Sequence, residues 1–239
     1  MTTIGTLYGI GVGPGDSELI TVKGFKRLQQ APVVAFPAGL RGNLGIAEQI
    51  IQPWLQPHQI QLSLDFPYVQ DAAVLTQAWN TAAQEVWKHL SQGNDVAFCS
   101  EGDVSFYSTF TYLAQAVQQI DLSAKIEIVP GVCSPMAAAA AVGIPLTIQS
   151  QRLTILPALY TVADLETALN TSDVVVLMKV SSVYAQVWSI LEQHDLLSHS
   201  YVIERATWSN QVCYADLSDR PNLSLSYFSL MIIQIPGSR

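Results

Sequence analysis

Along the first half of the chain, hydrophobic positions fall into short apolar runs separated by longer amphipathic stretches. TLYGIGV (6–12) is continuous, as a strand is when both of its faces are covered. APVVAFPA (31–38), a run near 59–63, DVAFCS (95–100) and KIEIVP (125–130) repeat that type. Between them the period lengthens, predicting helices over 18–30, around 44–51, over 70–91, over 106–119 and, rich in alanine, from 133. The 70–91 segment is the clearest, with Leu75, Ala78, Trp79, Ala82, Val86 and Leu90 spaced to share one face. Strand and helix alternating in this way predict a mostly parallel sheet. GIPL (143–146) breaks the pattern. A strand near 152–156, a helix near 164–169, strand DVVVLMKV and a helix over 182–193 follow, then SYVIERAT and SLSYFSLMIIQI with no helix between them. The second half is therefore expected to hold a mixed sheet. The reading is α/β, with one domain over 1–146 and another over 147–239.

The first strand runs into YGIGVGPGDSE (8–18), where Gly9, Gly11, Gly13 and Gly15 surround Pro14. Glycines this dense mark a place where backbone approaches something closely. The dinucleotide fingerprint G-x-G-x-x-G fails in both registers, since the sixth position is Pro14 or Asp16. The acidic residue that would bind a ribose is missing from the end of the second strand. A phosphate loop is excluded because no GK[ST] follows. Glu101-Gly102-Asp103 and Pro130-Gly131 form two further turns, each after a predicted parallel strand. Ligands of open α/β sheets bind at that carboxyl edge, so three such turns together predict a cleft.

Composition narrows the function classes. The 239 residues carry 11 Lys+Arg against 19 Asp+Glu, a net charge of −8. No basic run appears, which argues against nucleic acid, and an anionic ligand would need local positive focusing. Only 13% of residues are charged and the mean hydropathy is +0.27, so a buried subunit interface, as in a homodimer, is expected. Cys99, Cys133 and Cys213 have no metal spacing and read as buried, reduced thiols of a cytoplasmic protein. His58, His89, His194 and His199 form no HxxxH or HExxH pattern, so no metal site is expected. MTTIGTLYG has no charged n-region, and MAAAAAVGIPL is too short to cross a bilayer. Neither a signal peptide nor a membrane span is expected.

GVGPGDSELIT, EGDVSFYST and VPGVCS, in this order and spacing, resemble the tetrapyrrole methyltransferases of cobalamin and sirohaem biosynthesis. VVLMKV, ERATWSNQ and YFSLMII extend the resemblance over nearly the whole chain. The GD-x-SFYST form with a late YFSL is similar to the branch that methylates C(20) of precorrin-2 to give precorrin-3A. The resemblance implies two α/β domains with a cleft between them, S-adenosylmethionine as methyl donor, and a homodimer. It places donor contacts on Pro14, Glu101, Gly102, Asp103, Phe106, Cys133, Ser134, Met178 and Ala206, with Gly13 beside the tetrapyrrole. The family's GDP triplet is Gly102-Asp103-Val104 here, so the fixed φ of proline is absent.

Methyl transfer from a sulfonium needs mainly alignment, which can supply roughly 7–11 kcal/mol. That agrees with a sequence lacking any Ser-His-Asp or Cys-His set. A tetrapyrrole bearing eight carboxylates requires cations, and Arg41 and Lys179 sit at strand ends where they can meet it. Lys23 and Lys26 read instead as solvated surface charges. Asp103 fits either a donor contact or a helix cap. Tyr8 and Tyr107 are candidates for hydrogen bonding to the macrocycle. Alternatives are the same reaction on the cobalt-loaded ring, cobalt-factor II, or a sister enzyme for another ring carbon. A non-catalytic tetrapyrrole-binding protein is the alternative of a different class.

Overall fold

Each apolar run of the first half becomes a strand of one sheet, and the amphipathic stretches between those runs become helices. The computed structural model describes residues 3–39, 43–67, 69, 71–157 and 161–237. By its contacts the chain divides between Cys133 and Ser134 into two compact units.

In the first unit β1 (Thr6–Gly11), β2 (Val33–Pro37), β3 (Ile60–Leu64), β4 (Val96–Ser100) and β5 (Lys125–Val129) form an all-parallel sheet in the order β3-β2-β4-β1-β5. The helices are α1 (Val22–Gln30), α2 (Ile46–Ile51), α3 (Ala72–Leu90) and α4 (Phe110–Ile120). One face of the sheet, with Leu7, Val33, Ala35, Val96 and Phe98, packs on Ala82, Val86 and Leu90 of α3 and on Phe110, Leu113 and Val117 of α4. The alternate residues of β1 face the other way, where Arg27 of α1 lies over the Tyr8 ring and Gly24 lies against Ile10. The predicted face of α3 is correct, and only its N-terminal part, Leu75 to Trp79, stays half-buried or more open. Val104, standing where the family has proline, is sealed in this core at 1% exposure.

Two helices start later than their periodicity suggests. Ser17–Leu19 makes a single 3-10 turn, and α1 begins after Thr21, whose hydroxyl accepts the Gly24 amide at 3.1 Å. Likewise 106–109 is not helical. Tyr107 has φ of 52°, and the Ser108 hydroxyl accepts the Phe110 amide at 3.2 Å, capping α4 where it starts.

In the second unit α5 (Ser134–Val142), β6 (Leu153–Leu156), α6 (Val162–Thr171), β7 (Val174–Met178), α7 (Tyr184–Gln193), β8 (Ser200–Glu204), β9 (Val212–Ala215) and β10 (Ser229–Gln234) follow in order. The sheet runs β6-β7-β10-β8-β9, with β6 parallel to β7 and the other pairs antiparallel. The mixed sheet is as expected. β9, a four-residue edge strand, was not legible in the sequence. The period of two decides its layers: Val174 and Val176 meet α5, whereas Val175 and Leu177 meet α6 and α7. The contact division falls ahead of the expected 146/147 boundary because Ala138 and Ala139 of α5 pack on β7, β8 and β10.

The three glycine-bearing turns of the first unit meet. Gly13 and Gly102 exchange backbone hydrogen bonds, the Gly102 amide to the Gly13 carbonyl at 2.8 Å and the Gly13 amide to the Gly102 carbonyl at 3.2 Å. Their φ values of 83° and 69° suit glycine. A Cβ on Gly11 would lie 2.6 Å from the Gly131 nitrogen and 2.7 Å from the Gly102 carbonyl oxygen. One on Gly131 would lie 2.7 Å from the Gly11 backbone and closer still to the Gly102 oxygen. The glycines of the first loop therefore admit neighbouring backbone.

Asp103 fastens this junction. Its Oδ2 accepts the Gly131 amide at 2.7 Å, and its Oδ1 accepts the Ser105 amide at 2.8 Å and the Ser105 hydroxyl. Burial acts most strongly on the carboxyl and raises its pKa. The hydrogen bonds from the Ser105 hydroxyl, the Gly131 amide and the Ser105 amide together outweigh it and hold the group below the usual carboxylate range.

Replacing Gly131 by Ala forces backbone apart at two contacts. A destabilisation of at least about 2 kcal/mol is expected, at the upper part of the range for overpacking, seen as a lower urea midpoint at unchanged slope. Asp103→Asn should cost roughly 1.5–3 kcal/mol at pH 7, the worth of a hydrogen bond to a charged group. Because the folded-state pKa is depressed, the Asp103 contribution is fully present above about pH 4 and fades as the pH falls through the folded value. Urea titrations at pH 7 and pH 3 should show the difference between the two proteins shrinking in acid.

Candidate functional site

The junction leaves one of its glycines with an open face. A Cβ built on Gly102 meets nothing nearer than the Cys133 Cα, at 3.9 Å, in contrast to Gly11 and Gly131. Around it the chain places several residues expected from the sequence. Pro14 is buried next to Gly13, Glu101 is exposed, and Cys133 is half-buried. Phe106 is half-buried and meets the Tyr107 ring edge-on at 4.7 Å. Tyr107 is 61% exposed and left-handed. Ser100 and Ser108, whose hydroxyls lie 2.8 Å apart, brace the start and end of the Glu101–Tyr107 turn. Asp103 is present, but both of its oxygens are engaged by Ser105 and Gly131.

Tyr8 is placed differently. It lies in mid-strand, 9% exposed, with the Arg27 guanidinium 4.9 Å from its ring centroid. Glu127, its register partner on β5, bonds Lys23 at 2.6 Å and Arg27 at 3.4 Å. The Lys23 contact is the main cause that holds the Glu127 carboxyl below its usual range. Tyr8 thus belongs to the packing of α1. Arg41 lies outside the described residues.

In the second unit, β7 and β8 both run antiparallel to β10, so their carboxyl ends share one edge with the start of β10. Met178 is half-buried there, opposite Leu230. Ala206 is buried with Ile203 and Leu230, and Ser134 opens α5. Lys179, Arg205 and Thr207 are left-handed, with φ of 56°, 47° and 73°. Such a conformation costs roughly 1–2 kcal/mol for a residue with a Cβ and persists where the surroundings fix it. Here the Arg205 amide donates to the Phe228 carbonyl at 2.8 Å, and the Thr207 amide to Gln211 Oε1 at 2.6 Å. The Lys179 ammonium sits 5.3 Å from the Tyr227 ring centroid. Among the described residues neither Lys179 nor Arg205 forms an ion pair.

Sequence reasoning missed Ser105, Glu204 and Tyr227. The D-x-S spacing after Gly102 signals the Ser105 turn. Glu204 and Tyr227 lie inside the ERATWSNQ and YFSLMII motifs, but nothing local gives their partners, which are distant in sequence. Two cavities, of about 520 Å³ around Gln149, Arg152 and Asn170 and about 370 Å³ around Ser182, Tyr184 and Asn222, include none of the expected site residues. The expectation of buried thiols holds for Cys99, whose pKa burial pushes up, but Cys213 is exposed because β9 is an edge strand. Among the described residues no group of three His, Cys, Asp or Glu side chains is placed to hold a metal ion. None of their helices is long and apolar enough to cross a membrane.

Comparison with known proteins gives this geometry a context. The chain is 34% identical over its whole length to the cobalamin biosynthesis protein CobIJ of Mycobacterium tuberculosis, and spans about half, 47%, of that longer protein. It is 32% identical to the cobalt-precorrin-2 C(20)-methyltransferase of Salmonella typhimurium, covering 96% of both chains. It is also 32% identical to the precorrin-2 C(20)-methyltransferase of a Sinorhizobium species, covering 98% of this chain and 96% of that one. Among solved structures, a cobalt precorrin-4 methyltransferase shares the fold at 24% identity, with a TM-score of 0.72 over 96% of this chain and 94% of that one. The uroporphyrin-III C-methyltransferase of Thermus thermophilus in complex with S-adenosylhomocysteine shares it at 19% identity, with a TM-score of 0.67 over 96% and 97%. The model of the tetrapyrrole (corrin/porphyrin) methylases matches residues 6–219, and with strands, turns and open glycine edge in place, the chain belongs to that family.

Proposed function

We propose that this chain is an S-adenosylmethionine-dependent C-methyltransferase acting at C(20) of precorrin-2 in cobalamin biosynthesis. The observation that carries the reading is the end-to-end match to two relatives that share the C(20) position and the precorrin-2 skeleton in their names. The geometry supports it. Gly102 is the open member of a glycine junction at a parallel carboxyl edge, the place where α/β sheets take ligands. Glu101, Phe106 and Cys133 rim it. We assign these residues to the donor, with Pro14 and Gly13 beside them. Asp103 serves by holding the turns.

The donor supplies a methyl group already activated by its sulfonium. In the transfer the carbon–sulfur bond breaks with its electron pair passing to sulfur, a carbon–carbon bond forms at C(20), and that ring carbon gives up its proton. The protein's part is alignment, worth roughly 7–11 kcal/mol. A fixed turn provides it better than a mobile one. Tyr107, exposed at the rim, is the tyrosine assigned to the substrate. Lys179 is assigned to a substrate carboxylate, since it is exposed and forms no ion pair among the described residues.

The relatives' names include metal-free and cobalt-loaded substrates, so the deciding experiment uses both. Incubated with donor and either ring, the protein should add one methyl group to one of them by mass, with NMR placing it on C(20). Gly102→Val, which fills the space beside that glycine at a φ that favours glycine, should abolish the gain and lower the urea midpoint, while circular dichroism shows the helices and strands retained. No mass gain on either ring with the unaltered protein would refute the reading.

We further propose that the protein works as a homodimer. Only 13% of its residues are charged, and Leu122, Val22 and Ile128 are 92%, 71% and 55% exposed on the first unit, apolar surface that an interface would cover. An obligate interface would bury at least about 2,000 Å² in total. Sedimentation at micromolar concentration should return twice the 26.0 kDa chain mass. A monomer would count against it.

A further inference from the structure

At the carboxyl edge of the second sheet, one carboxylate is buried without a cation. Glu204 ends β8 at 6% exposure and forms no ion pair among the described residues. Its Oε2 accepts the Ser226 amide at 2.6 Å, and its Oε1 accepts the Tyr214 hydroxyl at 3.5 Å. Directly opposite in register stands Ser229, whose buried hydroxyl has no partner among the described residues. Burying a carboxylate in this way is costly unless hydrogen bonds offset it, so what Glu204 holds matters. The segment Ser226–Phe228 is tied at both ends, Ser226 by the Glu204 carboxylate and Phe228 by the Arg205 amide. Tyr227 stands between the two ties, and the Lys179 ammonium lies over its ring, within cation–π range.

We propose that Glu204 is a positioning residue for substrate binding. By fixing Ser226–Phe228 it holds the Tyr227 ring beneath Lys179, so the ammonium is presented in one place to a carboxylate arm of the tetrapyrrole. This rests on the assignment of Lys179 made above. Lys179 on its own has a flexible four-carbon stem. A ring on one side restricts where its charge sits, which lowers the ordering cost when an anion arrives.

Steady-state kinetics on Lys179→Ala, Tyr227→Leu, Glu204→Ala, Glu204→Gln and the double variant Glu204→Ala/Lys179→Ala test the chain of contacts. Lys179→Ala should raise the tetrapyrrole KM about 10- to 150-fold, the value of a charge-assisted contact. Tyr227→Leu and Glu204→Ala should each raise it about 2- to 5-fold, as expected for an exposed cation–π contact, with kcat and the donor KM unchanged. Glu204→Gln, whose carbonyl still accepts the Ser226 amide, should restore most of the loss. The double variant should be no worse than Lys179→Ala alone, because both changes act on one contact. Additive effects in the double variant, or an unchanged tetrapyrrole KM in Glu204→Ala, would overturn the proposal. If Glu204→Ala fails to fold, Tyr227→Leu decides by the same criterion. An inactive unaltered protein would remove the methyltransferase reading and this assignment with it, whereas activity with additive variants would remove this assignment only.

Discussion

The first unit depends on three backbones meeting with no side chains between them. Gly11, Gly102 and Gly131 end or follow neighbouring strands β1, β4 and β5, and any Cβ on Gly11 or Gly131 would strike another turn's main chain. Contact this close leaves amides that must be satisfied. The Gly13–Gly102 pair satisfies two of them, and the Asp103 carboxylate takes the Gly131 amide. One charge therefore ties the β4 turn to the β5 turn, and its hydrogen bonds, from the Ser105 hydroxyl first and the Gly131 amide next, hold its pKa low against burial. The same arrangement leaves the space beside Gly102 free of close backbone. Val104, buried behind it in the core, anchors the turn by packing where the family has the restricted φ of proline.

Charge is organised by the same economy. The chain is acidic overall, and several of its cations are already engaged. Lys23 and Arg27 meet Glu127, and Lys88 meets Glu85. These exposed pairs contribute little to stability, but they remove positive charge from the surface field. Lys179 and Arg205, at the carboxyl edge of the second sheet, form no such pair among the described residues. The left-handed backbone at Lys179, Arg205 and Thr207 marks that edge as a place where geometry has been imposed rather than relaxed into.

Much of this was legible in the sequence, for reasons that are local. A strand covered on both faces must be continuously apolar, so β1, β4 and β7 announce themselves. An amphipathic helix must repeat every 3.6 residues, so α3 shows its buried face. The tetrapyrrole methylase resemblance rests on motifs that are contiguous, such as GVGPGDSELIT and EGDVSFYST. The density of glycine in the first loop said that backbone approaches something, and the turns after β4 and β5 lie where a ligand edge was expected. The sequence also showed that no nucleotide fingerprint fits.

Tertiary structure alone decided what each residue touches. The glycines of β1 admit other turns, because parallel pairing brings the ends of β4 and β5 to either side of β1, a relation between residues 11, 102 and 131 that no window contains. Tyr8, chosen as a polar residue beside the loop, is sealed under Arg27 because its strand alternation points it toward α1. α4 starts at Phe110 because the Asp103–Ser105 and Ser108 hydrogen bonds compete successfully with helix over 106–109. β9 exists only as a partner of β8, and its four residues carry no period of their own. The contacts of Glu204 and Tyr227, though both lie in quoted motifs, were hidden for the same reason: a carboxylate meets Ser226 and a ring meets Lys179 only once strands distant in sequence are ordered. Local periodicity determines elements; nonlocal hydrogen bonds and steric exclusion determine which of their residues form a site.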